Sequence, residues 1–306
     1  MRFGARLATA VLGKRTPLCV GLDPRWESLP LELRRKHGDG QKPHDLAGVA
    51  AAYQEFCLTV LELVAPFTGV VKPQMAFFEG CGPRGLDAVT AVMARARELG
   101  LLVILDAKRG DIASTASAYA EAAFAGSKFG PATLPVWGAE ALTVNPYLGE
   151  DAVAPFVVEA RKAGAGLFVL VRTSNPGAGL FQDLVCDGQP LWRHVARRVA
   201  EWNEPGVDDS GWGDVGAVVG ATYPEELASV RQACPKVPLL IPGYGAQGGA
   251  AESLKAGFRA DGTGAIINSS RGVIFPGPAD APDWKDRVVA AARKSATELA
   301  AVAGLA

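Results

Sequence analysis

No apolar run in this sequence reaches 18 residues, so nothing in it reads as a confident membrane span. Histidine is scarce. His37, His44 and His194 are the three, with no HExxH or HxH spacing, and a His-built metal site is not expected. The five cysteines, Cys19, Cys57, Cys81, Cys186 and Cys234, are odd in number and include no CxxC, which argues against a disulfide framework and a zinc ribbon. Neither sign of charge is in excess: 31 Lys+Arg against 32 Asp+Glu leave a net charge of −1. That balance carries no electrostatic footprint for nucleic acid or an anionic membrane, although it leaves room for a local basic pocket. No GxGxxG follows the first apolar run, which weakens a dinucleotide-binding reading.

The first 22 residues hold Arg2, Arg6, Lys14 and Arg15 and no acid, a faint likeness to a transit peptide. They lack the apolar stretch of a secretory signal. Phe3, Leu7 and Val11 sit at helical spacing and read better as a short helix closing one end of a barrel. A cytoplasmic location is expected.

What is present is glycine, 36 of 306 residues, scattered among apolar runs. Eight short runs alternate with helical patterns: Leu18–Leu22, Gly69–Lys72, Leu101–Leu105, Ala141–Val144, Leu167–Val171, Val215–Gly220, Pro238–Ile241 and Ala265–Ile267. Continuous apolar runs of this length suit parallel strands buried on both faces. Ala47–Val64, Leu86–Leu99, Thr115–Phe124, Pro190–Trp202 and Pro224–Ala233 have helical spacing. Eight strand–helix alternations predict an α/β fold, a single-domain (β/α)8 TIM barrel; a doubly wound sheet is the competitor. Asp23–Asp45 and 175–213 exceed ordinary loop length and read as a lid or an insertion.

The polar residues gather at the C-terminal ends of these runs, where such a barrel carries its active site. The first run ends at Asp23 and the second at Lys72. The third ends in Asp106-Ala107-Lys108-Arg109-Gly110-Asp111. Strand side chains alternate, so Asp106 and Lys108 share a side, and Asp23 and Lys72 from neighbouring strands can converge on them. An ion-pair network is the plain structural alternative. Asp111 precedes a helical run and suits an N-cap; Arg109 reads as a solvated or interface charge. Asn145, Thr173 and Tyr244 stand at strand ends without a clear role.

The seventh run leads into Pro242-Gly243-Tyr244-Gly245-Ala246-Gln247-Gly248-Gly249, and the eighth into Asn268-Ser269-Ser270-Arg271-Gly272. Two Gly-rich ends on consecutive strands form a candidate phosphate cradle, with Gln247 and Arg271 as side-chain donors.

With these residues in place the sequence resembles the orotidine 5′-phosphate decarboxylase family, and its longer bacterial subgroup in particular. DAKRGD matches the family's DxKxxD signature. GLDP with Asp23, VKPQ with Lys72, TSNPGA with Ser174, PGYGAQGG with Gln247 and the stretch carrying Arg271 follow in the family's order, over roughly residues 18–275. The resemblance implies a homodimeric, cofactor-free enzyme that acts on a nucleotide. It implies that Asp23 binds ribose, Lys72 bridges ribose and Asp106, and Lys108 protonates C6. Asp111 and Thr115 would complete the partner's site. Ser174 would read the pyrimidine edge, Pro242 would line the substrate, and Gln247 and Arg271 would hold phosphate. A related group with the same signature, the ketogulonate-phosphate decarboxylases and hexulose-phosphate synthases, places an acid at the second-strand position and uses magnesium; here that position is Lys72. Two other readings, a Schiff-base aldolase and a nucleotide-binding barrel without catalysis, fit the acid-flanked Lys108 and the intact charge set less well.

Overall fold

A computed structural model describes residues 1–222, 224–244 and 251–306. Eight parallel strands close into a barrel in chain order: β1 (Leu18–Leu22), β2 (Val70–Pro73), β3 (Leu102–Arg109), β4 (Ala141–Val144), β5 (Gly166–Arg172), β6 (Val215–Val219), β7 (Leu239–Pro242) and β8 (Ala265–Ser269), with β8 paired back to β1. All eight expected strands are present, with ends shifted by up to four residues. The helices are α1 (Phe3–Lys14), α2 (Leu46–Val64), α3 (Pro83–Glu98), α4 (Ala113–Ala123), α5 (Glu150–Lys162), α6 (Leu191–Asn203), α7 (Pro224–Ala233) and α8 (Trp284–Ala303). The (β/α)8 barrel is the fold, and the doubly wound sheet is excluded by closure. Helices α5 and α8 were not among the expected helical stretches.

Each strand presents alternate residues to the barrel axis, and those residues change character along it. Cys19, Val70, Ile104, Ala141, Phe168, Val218, Leu240 and Ile266 form an apolar interior cluster. Two residues further along, Lys72, Asp106, Thr143, Pro242 and Asn268 face the cavity at the C-terminal end. The opposite strand faces pack against the helices in a second, larger core.

Helix α1 is the barrel floor. Its Phe3, Leu7 and Val11 join the interior cluster, and the Phe3 ring meets Phe168 edge-on at 5.9 Å. Gly166 opens β5 beside them, where a Cβ would overlap the Phe3 ring. Helix α2 is long and apolar enough on average to cross a membrane. In the fold it is a barrel helix: Phe56, Cys57, Val60 and Leu61 are fully buried, while Glu55 and Glu62 bond Lys36 and Arg95 on its outer side. Asp45 caps its start by accepting the Gly48 N–H at 2.7 Å.

Of the two long stretches, Asp23–Asp45 holds a 3-10 turn (Trp26–Ser28) and a short helix (Leu31–Lys36). Residues 175–213 hold a short helix (Gly179–Gln182), a two-stranded ribbon at Val185–Pro190, and then α6. Part of that stretch is therefore the barrel helix that follows β5.

Phe3→Ala should cost about 3–5 kcal/mol of unfolding free energy, because it opens a cavity in a fully buried floor. Urea unfolding measures it. A loss below about 1 kcal/mol would show that α1 lies on the barrel without sealing it.

Candidate active site

Asp106 lies at the floor of a cavity of about 540 Å³ at the C-terminal end of the barrel. Its carboxylate is buried and accepts four hydrogen bonds. Lys72 Nζ donates to Oδ2 at 2.6 Å and Gln74 Nε2 to the same oxygen at 2.9 Å. Lys108 Nζ donates to Oδ1 at 2.6 Å and the Thr143 hydroxyl at 2.8 Å. Lys72 is at least as buried as Asp106, whereas the Lys108 side chain is 46% exposed and faces the cavity. The charges are thus arranged ammonium–carboxylate–ammonium; both ammoniums line the cavity, and the second is the more exposed.

Burial alone would push the Asp106 carboxyl up, but the Lys72 and Lys108 ammoniums hold it well below the ordinary carboxylate range. Burial alone would lower Lys72, but the Asp106 and Asp23 carboxylates more than offset it and hold Lys72 above its ordinary value. Both groups are ionised at neutral pH.

Asp23, at the end of β1, also lines the cavity. Its Oδ1 is buried and has no hydrogen-bond partner among the described residues. A buried carboxylate oxygen left open in a cavity is suited to a ligand hydroxyl. Below it, burial pushes the Cys19 thiol up to about 12, so it is neutral, and it donates to Asn268 Oδ1 at 3.8 Å. Asn268 in turn donates to Ser270 Oγ at 3.2 Å. Gly21 leaves room for this pair, since a Cβ there would overlap the Ser270 hydroxyl.

The cavity brings together Asp23, Lys72, Asp106, Lys108, Ser174, Pro242 and Arg271. It does not include Asp111 or Thr115. The capping role for Asp111 is corrected: α4 begins at Ala113 with Ile112 in the cap position, and Asp111 Oδ1 accepts only the adjacent Ile112 N–H, at 2.7 Å. A left-handed Ala113 (φ +42°) turns the chain between them. Arg109 is not a freely solvated charge. It is half-buried, paired with Glu79 and stacked over Tyr119 at 5.4 Å.

Gln247, with Gly245, Gly248 and Gly249, lies outside the described residues. Tyr244 donates its hydroxyl to Glu298 of α8 and so is tied to the barrel wall. Thr173 and Gln182 hold each other through two bonds, Gln182 Oε1 accepting the Thr173 N–H and Gln182 Nε2 donating to its hydroxyl. Gln74, Thr143, Gln182 and Asn268 were not singled out as site residues. Gln74 stood within VKPQ, and Thr143 was legible only as a hydroxyl inside an otherwise apolar run.

Residues 16–281 match the family described as orotidine 5′-phosphate decarboxylase / HUMPS. The chain belongs to this family. It is 47% identical over 298 residues to an orotidine 5′-phosphate decarboxylase of Rhodopirellula baltica, covering 95% of this chain and 96% of that one. It is 43% identical over 274 residues to one of Deinococcus radiodurans, covering 89% of each. The solved structure of a protein from Streptomyces avermitilis, described as a putative orotidine 5′-phosphate decarboxylase, superposes with a TM-score of 0.76 at 38% identity, over 99% of this chain and 96% of that one. Asp106 and Lys108 of the DAKRGD stretch belong to the ion chain, whereas Asp111, its last residue, does not.

The two directions of shift set the pH behaviour. A carboxyl held below its unfolded value adds stability that is fully present above about pH 3.9 and is lost as pH falls through the folded value. An ammonium held above its unfolded value adds stability that is present below about pH 10.4 and lost as pH rises through the folded value. Asp106→Asn should lower unfolding free energy at pH 7 by about 3–5 kcal/mol, since Lys72 is left buried without its counter-charge. It should also flatten the decline of stability between about pH 4 and pH 2. An acid limb of unchanged slope would assign that sensitivity to other carboxylates.

Proposed function

We propose that this chain decarboxylates orotidine 5′-monophosphate to uridine 5′-monophosphate and CO2 without a metal ion, with Lys108 as the proton donor to C6. The observation that carries the proposal is the Lys72–Asp106–Lys108 chain at the cavity floor, closed by two 2.6 Å contacts. The position where a magnesium-dependent relative has an acid is occupied by an ammonium. That removes a hard oxygen ligand and puts positive charge where a cation would sit.

Breaking the bond between C6 and the carboxylate leaves an electron pair in an sp² orbital outside the ring's π system. A site without an electron sink must stabilise that charge electrostatically. The Lys108 ammonium does so and then gives its proton to C6. Asp106 stands against the substrate carboxylate. Two unit charges ~4 Å apart at an effective dielectric of ~20 repel by roughly 4 kcal/mol, about three decades of rate. The rest of a large acceleration comes from carbanion stabilisation and from binding energy at the phosphate.

Asp23 takes a ribose hydroxyl on its open Oδ1, and Lys72 spans ribose and Asp106. Ser174 reads the pyrimidine edge, Pro242 lines the base, and Gln247 and Arg271 hold the phosphate. Asp111 and Thr115, which stand outside their own chain's cavity, complete the site of a second copy in a homodimer. The exposed Ile112 beside them, at 55%, supports burial of this segment against a partner. The five thiols, none of them in a disulfide, fit a reducing cytoplasm.

The test follows the ultraviolet absorbance of orotidine 5′-monophosphate in EDTA. The parent chain should convert it promptly. Lys108→Ala should abolish turnover and still bind uridine monophosphate, and near-normal turnover would remove Lys108 from its role. Arg271→Ala should weaken the phosphorylated substrate far more than the bare nucleoside, and equal losses would refute the phosphate contact. Mixing Lys108→Ala with Asp111→Ala chains should recover turnover that neither variant has alone. No recovery in a mixed dimer would dismiss the shared site.

A further inference from the structure

The ladder between β3 and β4 is irregular at one place. Leu105 faces Leu142, and the next pair is Arg109 facing Val144. Asp106, Ala107 and Lys108 therefore stand opposite Thr143 alone. The extra chain is absorbed by Lys108, which adopts a left-handed backbone at φ +47°. For a side-chain-bearing residue this costs on the order of 1–2 kcal/mol, so something must hold it.

Thr143 holds it. The side chain is buried at 1% exposure, and its Oγ1 accepts the Lys108 backbone N–H at 2.9 Å. Because that N–H can only donate, the single hydroxyl proton is free to go to Asp106 Oδ1, at 2.8 Å. The same Oδ1 accepts the Lys108 ammonium. One hydroxyl thus references both ends of Lys108, backbone and head group, to one carboxylate oxygen.

We propose that Thr143 is a positioning residue for the proton transfer, setting the left-handed turn of Lys108 and holding Asp106 Oδ1 while the Lys108 proton leaves. The inference rests on the proposed decarboxylation. Before transfer, Oδ1 has two donors. When Lys108 gives its proton to C6 and becomes a neutral amine, the bond from Thr143 remains. Asp106 then keeps its orientation through the step, and Lys108 can be reprotonated in place. Lys108 has four flexible side-chain bonds, and a misplacement of about 1 Å at a reacting group costs on the order of 100-fold in rate.

Thr143→Val removes both bonds and keeps the shape. Thr143→Ser keeps the hydroxyl. Turnover of orotidine 5′-monophosphate and binding of uridine monophosphate are measured on each, beside the parent chain. Thr143→Val should lose about 10- to 100-fold in kcat, bind uridine monophosphate within about threefold of the parent, and be rescued to within about threefold by Thr143→Ser. Turnover of Thr143→Val within about twofold of the parent overturns the inference. So does a loss of product binding that matches the loss of turnover, or a Ser variant as impaired as the Val variant. If Thr143→Val does not fold, Thr143→Ala is read against the same criteria. A parent chain with no turnover at all overturns the function and this inference with it. A fully active parent beside an unimpaired Thr143→Val overturns this inference alone.

Discussion

A carboxylate buried between two ammoniums is the constraint on which the rest of this structure depends. Desolvating Asp106 and Lys72 is costly, and the cost is met only when each has close partners. Asp106 has four donors: Lys72 of β2, Gln74 just past its end, Lys108 of β3 and Thr143 of β4. A slip of β2 against β3 would strand a charge, and a slip of β4 would remove a donor. The barrel therefore fixes the site, and the site in turn penalises any slip of β2 against β3 or β3 against β4.

The asymmetry of the two lysines follows from their backbones. Lys72 sits in regular β2, paired across from Gly21, and its side chain lines the cavity while almost fully buried. Lys108 lies past the end of the regular ladder, in a left-handed turn, with its head group exposed in the cavity. One ammonium is chiefly a buried counter-charge and the other is the more open to a substrate. Beneath them the interior is apolar and sealed by α1, so the field of the ion chain is directed into the cavity above.

Much of this was readable in one dimension because it depends on alternation. Eight apolar runs, seven of them leading into polar residues, identify strands whose C-terminal ends converge, and the i, i+2 spacing of Asp106 and Lys108 puts them on one side. What alternation hides is the local departure from it. The irregular ladder at β3 makes Thr143 a neighbour of both Asp106 and Lys108, yet in the sequence it is one hydroxyl among Ala141, Leu142 and Val144. Asp111 looked like a helix cap because its residue type and position fit one. The left-handed Ala113 moves the start of α4 and leaves Asp111 bonded only to the adjacent backbone. Arg109 reads as a solvated or interface charge because its partners, Glu79 and Tyr119, come from elements on either side and are not legible in its own segment.

The sequence by itself determined the fold class, the order of the eight strands and the charged residues that follow them, because these follow from hydrophobic period and residue order. Tertiary structure alone decided which carboxylate oxygen each donor takes, that Gln74 and Thr143 belong to the site, and that Asp111 and Thr115 lie outside their own cavity. Those facts depend on register and on two left-handed residues, Lys108 and Ala113. The Lys108 N–H donates to a hydroxyl 35 residues away in the chain and 2.9 Å away in space.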